Sequence, residues 1–123
     1  MKEIATKNAP EAIGPYSQAV ACGNLVFVSG QLPINPANGE IPEGIVAQTK
    51  QALTNAGEIL KAEGLCLKNV CKVTVYLSDL SEFGDMNKCY GEFFEKPYPA
   101  RAAIQAAALP KGAKIEIDVI ASK

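Results

Sequence analysis

An arginine and a glutamate stand in two apolar, strand-like segments near the C-terminus. These are Pro99-Ala100-Arg101-Ala102-Ala103-Ile104 and Lys114-Ile115-Glu116-Ile117-Asp118-Val119. A charge placed in such a stretch needs a partner or a function, because desolvating it alone is costly. A guanidinium grips a carboxylate through two parallel hydrogen bonds. A carboxylate positions a water and accepts its proton. The turn Leu109-Pro110-Lys111-Gly112-Ala113 lies between the segments, so we expect them to pair and to bring Arg101 and Glu116 into one site. Such a pair suits hydrolysis of a small anionic substrate. The competing reading of Arg101 is a structural ion pair with Glu116 or Asp118, and that of Glu116 an exposed sheet residue.

The chain contains no histidine. That removes Ser-His-Asp and Cys-His relays and the histidine-bearing zinc signatures. Acid–base work then falls to a carboxylate, a lysine, a tyrosine or a bound water. No G-x-G-x-x-G or Walker loop offers a seat for a nucleotide cofactor. Cys22, Cys66, Cys71 and Cys89 form no C-x-x-C pair and are expected as small buried hydrophobes.

The elements that must position these residues follow from periodicity. Ser17 to Cys22 and Leu25 to Ser29 read as strands joined by a tight turn at Gly23-Asn24. Residues 33–39, with two prolines and an Asn-Gly pair, read as a loop. Ile45 to about Glu63 is the clearest helix. Its apolar stripe is Ile45, Val46, Ala52, Leu53, Ala56, Ile59 and Leu60, with Gln48, Lys50, Gln51 and Lys61 elsewhere and Gly64 as its stop. Val70 to Leu77 is a β-branched strand. Ser78 or Asp79 caps a second helix from about Ser81 to Phe94, ended by Pro97 and Pro99. With the last two strands the order is β-β-α-β-α-β-β, plus a short strand near Lys2 to Thr6. Both helices can cover one face of a single sheet. On the final strand Ile115, Ile117 and Val119 should meet the helices, leaving a semi-polar, alanine-rich face opposite. Two helices cover only one side, so the other face is expected to meet a second copy of the chain.

The length of 123 residues predicts one domain spanning 1–123 with a real core. Hydrophobic residues make up 48% and charged residues 20%, the balance of an ordinary globular chain. A net charge of −1 and the lack of a basic run give no electrostatic footprint for nucleic acid. The N-terminus Met1-Lys2-Glu3-Ile4 lacks a signal peptide's apolar region, and no apolar run is long enough to span a bilayer, so the cytoplasm is the expected location.

Four blocks together resemble the RidA family, also called the YjgF type. They are Ala12-Ile13-Gly14-Pro15-Tyr16-Ser17-Gln18-Ala19; Val28-Ser29-Gly30-Gln31-Leu32-Pro33 with Asn38-Gly39-Glu40; Met86-Asn87-Lys88-Cys89-Tyr90 leading to Phe93-Phe94; and the two C-terminal segments. The resemblance covers nearly the whole chain. It implies a chorismate-mutase-like α+β fold (bacillus type) with a mixed β-sheet. It implies a homotrimer whose sheets form a central barrel with helices outside and sites between subunits. It also implies hydrolysis of reactive 2-imino and enamino acids, released by pyridoxal-phosphate enzymes, to 2-oxo acids and ammonia, without metal or organic cofactor. On that reading Arg101 clamps the substrate carboxylate and Glu116 activates water. Tyr16 donates a hydrogen bond or packs at the cleft edge. Ser29 and Gly30 line the pocket, and Asn87 contributes an amide or is a solvated helix residue. The backbone near Ala103 contacts ligand; many family members carry cysteine there, so a thiol role is closed to this chain. The rival functions are a non-catalytic carboxylate-binding or regulatory trimer and an RNA-acting translation inhibitor.

Overall fold

Side-chain alternation along two central strands decides the architecture. In the computed structural model, which describes residues 1–123, six strands and two helices form in the order β1 (Lys2–Ile4), β2 (Ala19–Cys22), β3 (Leu25–Gln31), α1 (Ile45–Lys61), β4 (Val70–Leu77), α2 (Phe83–Gly91), β5 (Ala100–Gln105) and β6 (Ile115–Ser122). The strands make one mixed sheet in the spatial order β1-β2-β3-β6-β4-β5. Only β4 and β5 run parallel, as a strand–helix–strand crossover through α2 requires.

Val73, Val75 and Leu77 of β4 and Ile115, Ile117 and Val119 of β6 all point to one face and are no more than 1% exposed. Leu53, Ile59 and Leu60 of α1 close over them and are fully buried. Burying each such side chain contributes roughly 1.5–3 kcal/mol relative to leaving it in water. Both helices lie on this face, so the opposite one is left open, with Leu25, Phe27 and Ile104 exposed. No helix is long and apolar enough to cross a membrane.

Several expectations are corrected. The two C-terminal segments do not pair: β4 lies between β5 and β6 and pairs with both. The second helix is shorter than the predicted 81–94. The Asp79 carboxylate accepts the Ser81 N–H at 2.9 Å and the Asp79 carbonyl accepts the Glu82 N–H at 3.1 Å, which winds a separate tight turn before α2 starts at Phe83. α2 ends at Gly91, ahead of the prolines. Val46 is half-exposed, whereas Gln48, placed outside the stripe, is buried. Of the cysteines only Cys89 is buried; Cys22, Cys66 and Cys71 are exposed on the outer turns and strand ends.

α1 buries polar groups because each finds a partner. The Gln48 amide donates to the Pro42 carbonyl and accepts from the Lys114 N–H. The Asn55 amide donates to the carbonyls of Leu32 and Ile34 at 3.1 and 2.9 Å. These bonds tie the loop after β3 to the helix, and so hold the end of β3 in place. The α1 terminus is closed at Gly64 (φ 76°), where the Leu65 N–H reaches back to the Leu60 carbonyl and the Gly64 N–H to that of Lys61.

Asn55→Leu should therefore cost about 2 kcal/mol, because two part-buried carbonyls lose their donor. Urea unfolding monitored by circular dichroism checks this, and a variant as stable as the parent would remove Asn55 as the anchor of residues 32–34.

Candidate functional site

Arg101 sits on β5, the edge of the sheet, in register with Val73 of β4. Neighbouring positions on adjacent strands share a face, so Arg101 points to the helix side. There α2 presents Phe83, Asn87 and Tyr90, spaced i, i+4, i+7 and therefore on one stripe. Arg101 Nη1 donates to Asn87 Oδ1 at 2.6 Å. The guanidinium carbon lies 4.7 Å from the Tyr90 ring centroid and 5.4 Å from that of Phe83. Ala103, two residues along, packs against the core. Arg101 is exposed and makes no ion pair within the chain. Its structural reading as the partner of Glu116 or Asp118 therefore fails inside one chain.

Glu116 lies on β6 in the phase opposite to Ile115 and Ile117, and so on the open face. Its carboxylate rests directly over Gly30, where an added Cβ would collide with Oε2. The glycine is needed for this close approach. The β3–β6 register shifts between Val28 and Gln31, which turns Ser29 and Gly30 out of the regular ladder. Ser29 donates its hydroxyl to the Ser17 carbonyl at 2.6 Å. The buried Gln18 side chain accepts the Thr6 N–H and donates to the Pro10 carbonyl. Together they pin the N-terminal loop beside β3. Tyr16 is 52% exposed and lines an open groove of about 930 Å³ with Gly30, Gln31, Gln18 and Lys111.

The Glu116 carboxyl is pushed above the usual glutamate value, first by burial and then by the negative charge of Asp118. Asp118 is two residues along the same face. It accepts a hydrogen bond from the Tyr76 hydroxyl at 3.1 Å. Tyr76 is the direct cross-strand neighbour of Glu116, and its own ionisation is pushed up by burial and by that bond. Lys72 stands on the same face but makes no ion pair with either acid. A carboxyl with a raised pKa is a better proton acceptor and donor near neutral pH than an ordinary one. No three His, Cys, Asp or Glu side chains converge in a metal-binding cluster.

The predicted residues thus fall into two groups. Arg101, Asn87 and Ala103 belong to the helix side of the edge strand. Glu116 and Gly30 meet on the open face, with Tyr16 sharing the groove beside Gly30 and Ser29 holding the loop. Arg101 and Glu116 are separated by β4, two strand spacings or about 10 Å of sheet, and point to opposite faces. Sequence reasoning did not single out Phe83, Tyr90 or Tyr76 as site residues. The signal for the first two was the spacing around Asn87; nothing in the sequence alone pointed Tyr76 at Asp118.

Because Asp118 adds a like charge beside Glu116, Asp118→Asn should lower the Glu116 pKa. Titration of the labelled side-chain carboxyl by carbon-13 NMR reads this directly, and an unmoved or higher value would dismiss Asp118 as a cause.

With the geometry in view, the likeness to known proteins is informative. A family model described as Endoribonuclease L-PSP matches residues 6–123. A goat (Capra hircus) protein named 2-iminobutanoate/2-iminopropanoate deaminase is 53% identical over 119 residues, covering 96% of this chain and 87% of its own length. The E. coli YjgF gene product superposes with a TM-score of 0.96 at 45% identity, over 100% of this chain and 99% of that one. E. coli TdcF with bound serine superposes equally well, with a TM-score of 0.96 at 43% identity over the same shares. On these matches the chain belongs to the YjgF/RidA family, whose family model carries the description Endoribonuclease L-PSP.

Proposed function

We propose that the chain hydrolyses small 2-imino acids to 2-oxo acids and ammonia, as a 2-iminobutanoate/2-iminopropanoate deaminase. The observation that carries this is Arg101: an exposed guanidinium anchored by a neutral amide, with no acid to satisfy it. It is built to receive a carboxylate from outside the chain. The relatives named for this activity, and the serine in TdcF, a small α-amino acid, fit that ligand class.

In the proposed reaction Arg101 holds the substrate carboxylate by a charge-assisted fork. Water attacks C2 of the imine while Glu116 takes one of its protons and the C=N electrons move to nitrogen. Glu116 returns the proton to nitrogen, giving a carbinolamine. The hydroxyl proton then passes through the same carboxyl to nitrogen as the C–N bond breaks. One water enters, and one ammonia and one 2-oxo acid leave. Tyr16 and the backbone at Gly30 and Ala103 line the path, and no cofactor enters any step. The raised pKa of Glu116 suits an acceptor that must also give the proton back.

Residues 1–123 act here as a single chorismate-mutase-like domain within a homotrimer. The support is geometric: one small ligand cannot touch both faces of a sheet, so Arg101 of one copy must meet Glu116 of the partner subunit. The apolar residues of the open face, Phe27, Leu25 and Ile104, would be covered in such a barrel. An RNA-cleaving role has less to draw on, with a net charge of −1 and no basic run.

Three outcomes are expected when a dehydratase supplies the imine. Arg101→Ala should lose a factor of about a hundred or more in kcat/KM. Glu116→Gln should lower turnover by about 10²–10⁴ while 2-oxobutanoate still binds. Co-assembling the two variants should restore wild-type sites at about one in four, because each intact Arg101 can face an intact Glu116 across an interface. Failure of the mixture to recover activity would place both residues in the same chain's site or outside it. Oxo-acid binding by the wild type without turnover would favour the non-catalytic binder. The kcat/KM profile should fall as pH drops through the raised Glu116 pKa, since the base must be ionised; a fall confined to the ordinary glutamate range would exclude Glu116 as that base.

A further inference from the structure

We infer that the stripe Phe83, Asn87 and Tyr90 on α2 is a cradle that fixes the Arg101 guanidinium without neutralising it, and that Asn87 is a positioning residue rather than a substrate ligand. The inference rests on the proposed carboxylate-binding role of Arg101. An exposed arginine on an edge strand ordinarily samples many rotamers. Here its planar head lies over two ring faces, with its carbon 4.7 Å from Tyr90 and 5.4 Å from Phe83. The rings are themselves held. Tyr90 is only 5% exposed and packs on Phe94 at 4.6 Å between centroids. Phe83 packs against the core cluster. The aromatic faces attract the cation but offer no formal charge.

The one hydrogen bond to the head comes from a neutral acceptor, Asn87 Oδ1. A carboxylate there would hold Arg101 as well but would occupy its charge. The acids near α2 are kept off. Glu82, just before the helix, is engaged by Lys114 at 3.0 Å, and Asp85 stands off the 83/87/90 stripe and is exposed. Nε and Nη2 of Arg101 have no partner in the chain, so a two-pronged edge stays free for a ligand carboxylate. Asn87 acts through Arg101: its Oδ1 accepts the Nη1–H at 2.6 Å and so sets where the guanidinium lies. The Tyr90 hydroxyl is buried and makes no hydrogen bond, so it is the ring that matters.

The test combines motion, affinity and turnover in the full-length assembled protein. Nitrogen-15 relaxation of the Arg101 Nε–H reads the cradle directly, calorimetry reads 2-oxobutanoate affinity, and the dehydratase-coupled assay separates KM from kcat. Wild-type Arg101 Nε should be as rigid as the backbone. Phe83→Leu should loosen it and weaken oxo-acid binding by about three- to tenfold, with Phe83→Tyr restoring both. Asn87→Asp should keep the side chain rigid yet weaken binding and raise KM by about tenfold or more, with a much smaller change in kcat. Light scattering confirms assembly in each variant. A wild-type Arg101 Nε as mobile as a free surface arginine would overturn the cradle, and so would undiminished affinity in Asn87→Asp. A rigid Arg101 that loosens in Phe83→Leu, in a wild-type protein that binds no 2-oxo acid, would retain the cradle and refute the deaminase reading instead.

Discussion

The pairing of β4 with β5 on one edge and β6 on the other is the constraint from which the rest of the molecule follows. In a sheet the face taken by a side chain is dictated by register, and register here is locked by the buried rows Val73, Val75, Leu77 and Ile115, Ile117, Val119. A slip of one residue would turn those rows outward and is ruled out by the burial it would forfeit. Once they are fixed, Arg101 must face the helices and Glu116 must face away from them. The chemistry of the chain is thereby divided between two surfaces.

The two charged groups are handled in opposite ways, and each treatment matches its proposed use. Arg101 is oriented by a neutral amide and two aromatic rings, so its positive charge is held in place yet uncompensated. Glu116 is partly removed from water and set beside another acid, so its negative charge is disfavoured and its proton is held more tightly. Asp118 exerts this pressure from a fixed position because the Tyr76 hydroxyl holds it. An uncompensated cation and a carboxyl with a raised pKa are complementary devices, set here on opposite faces of the sheet with β4 between their strands.

Polar groups in the interior do the remaining positioning. Gln18, Gln48 and Asn55 each donate to the backbone carbonyl of a neighbouring loop. They steady the N-terminal loop and the end of β3, which is where Gly30 must lie flat under Glu116. Loops of irregular backbone are held next to the sheet this way because no ladder satisfies their carbonyls.

Much of this was legible in the chain itself. Strand and helix identities followed from periodicity, the turn at Gly23-Asn24 and the stop at Gly64 from local backbone chemistry, and the choice of Arg101 and Glu116 as site candidates from the oddity of charge in apolar segments. The buried row of the last strand was readable from its alternation. These are local properties, encoded within a few residues. Which strands become neighbours is not local: a short loop between Gln105 and Ile115 suggested a hairpin, but the α2 crossover placed β5 parallel beside β4, with β6 on the far side of β4 in the interior of the sheet. That choice parted Arg101 from Glu116, which the hairpin would have brought together. The rotation of α1 that buries Gln48 and exposes Val46, and the bond from Tyr76 to Asp118, were likewise decided by the tertiary structure. Each depends on a partner distant in sequence, and periodicity carries no information about who that partner will be.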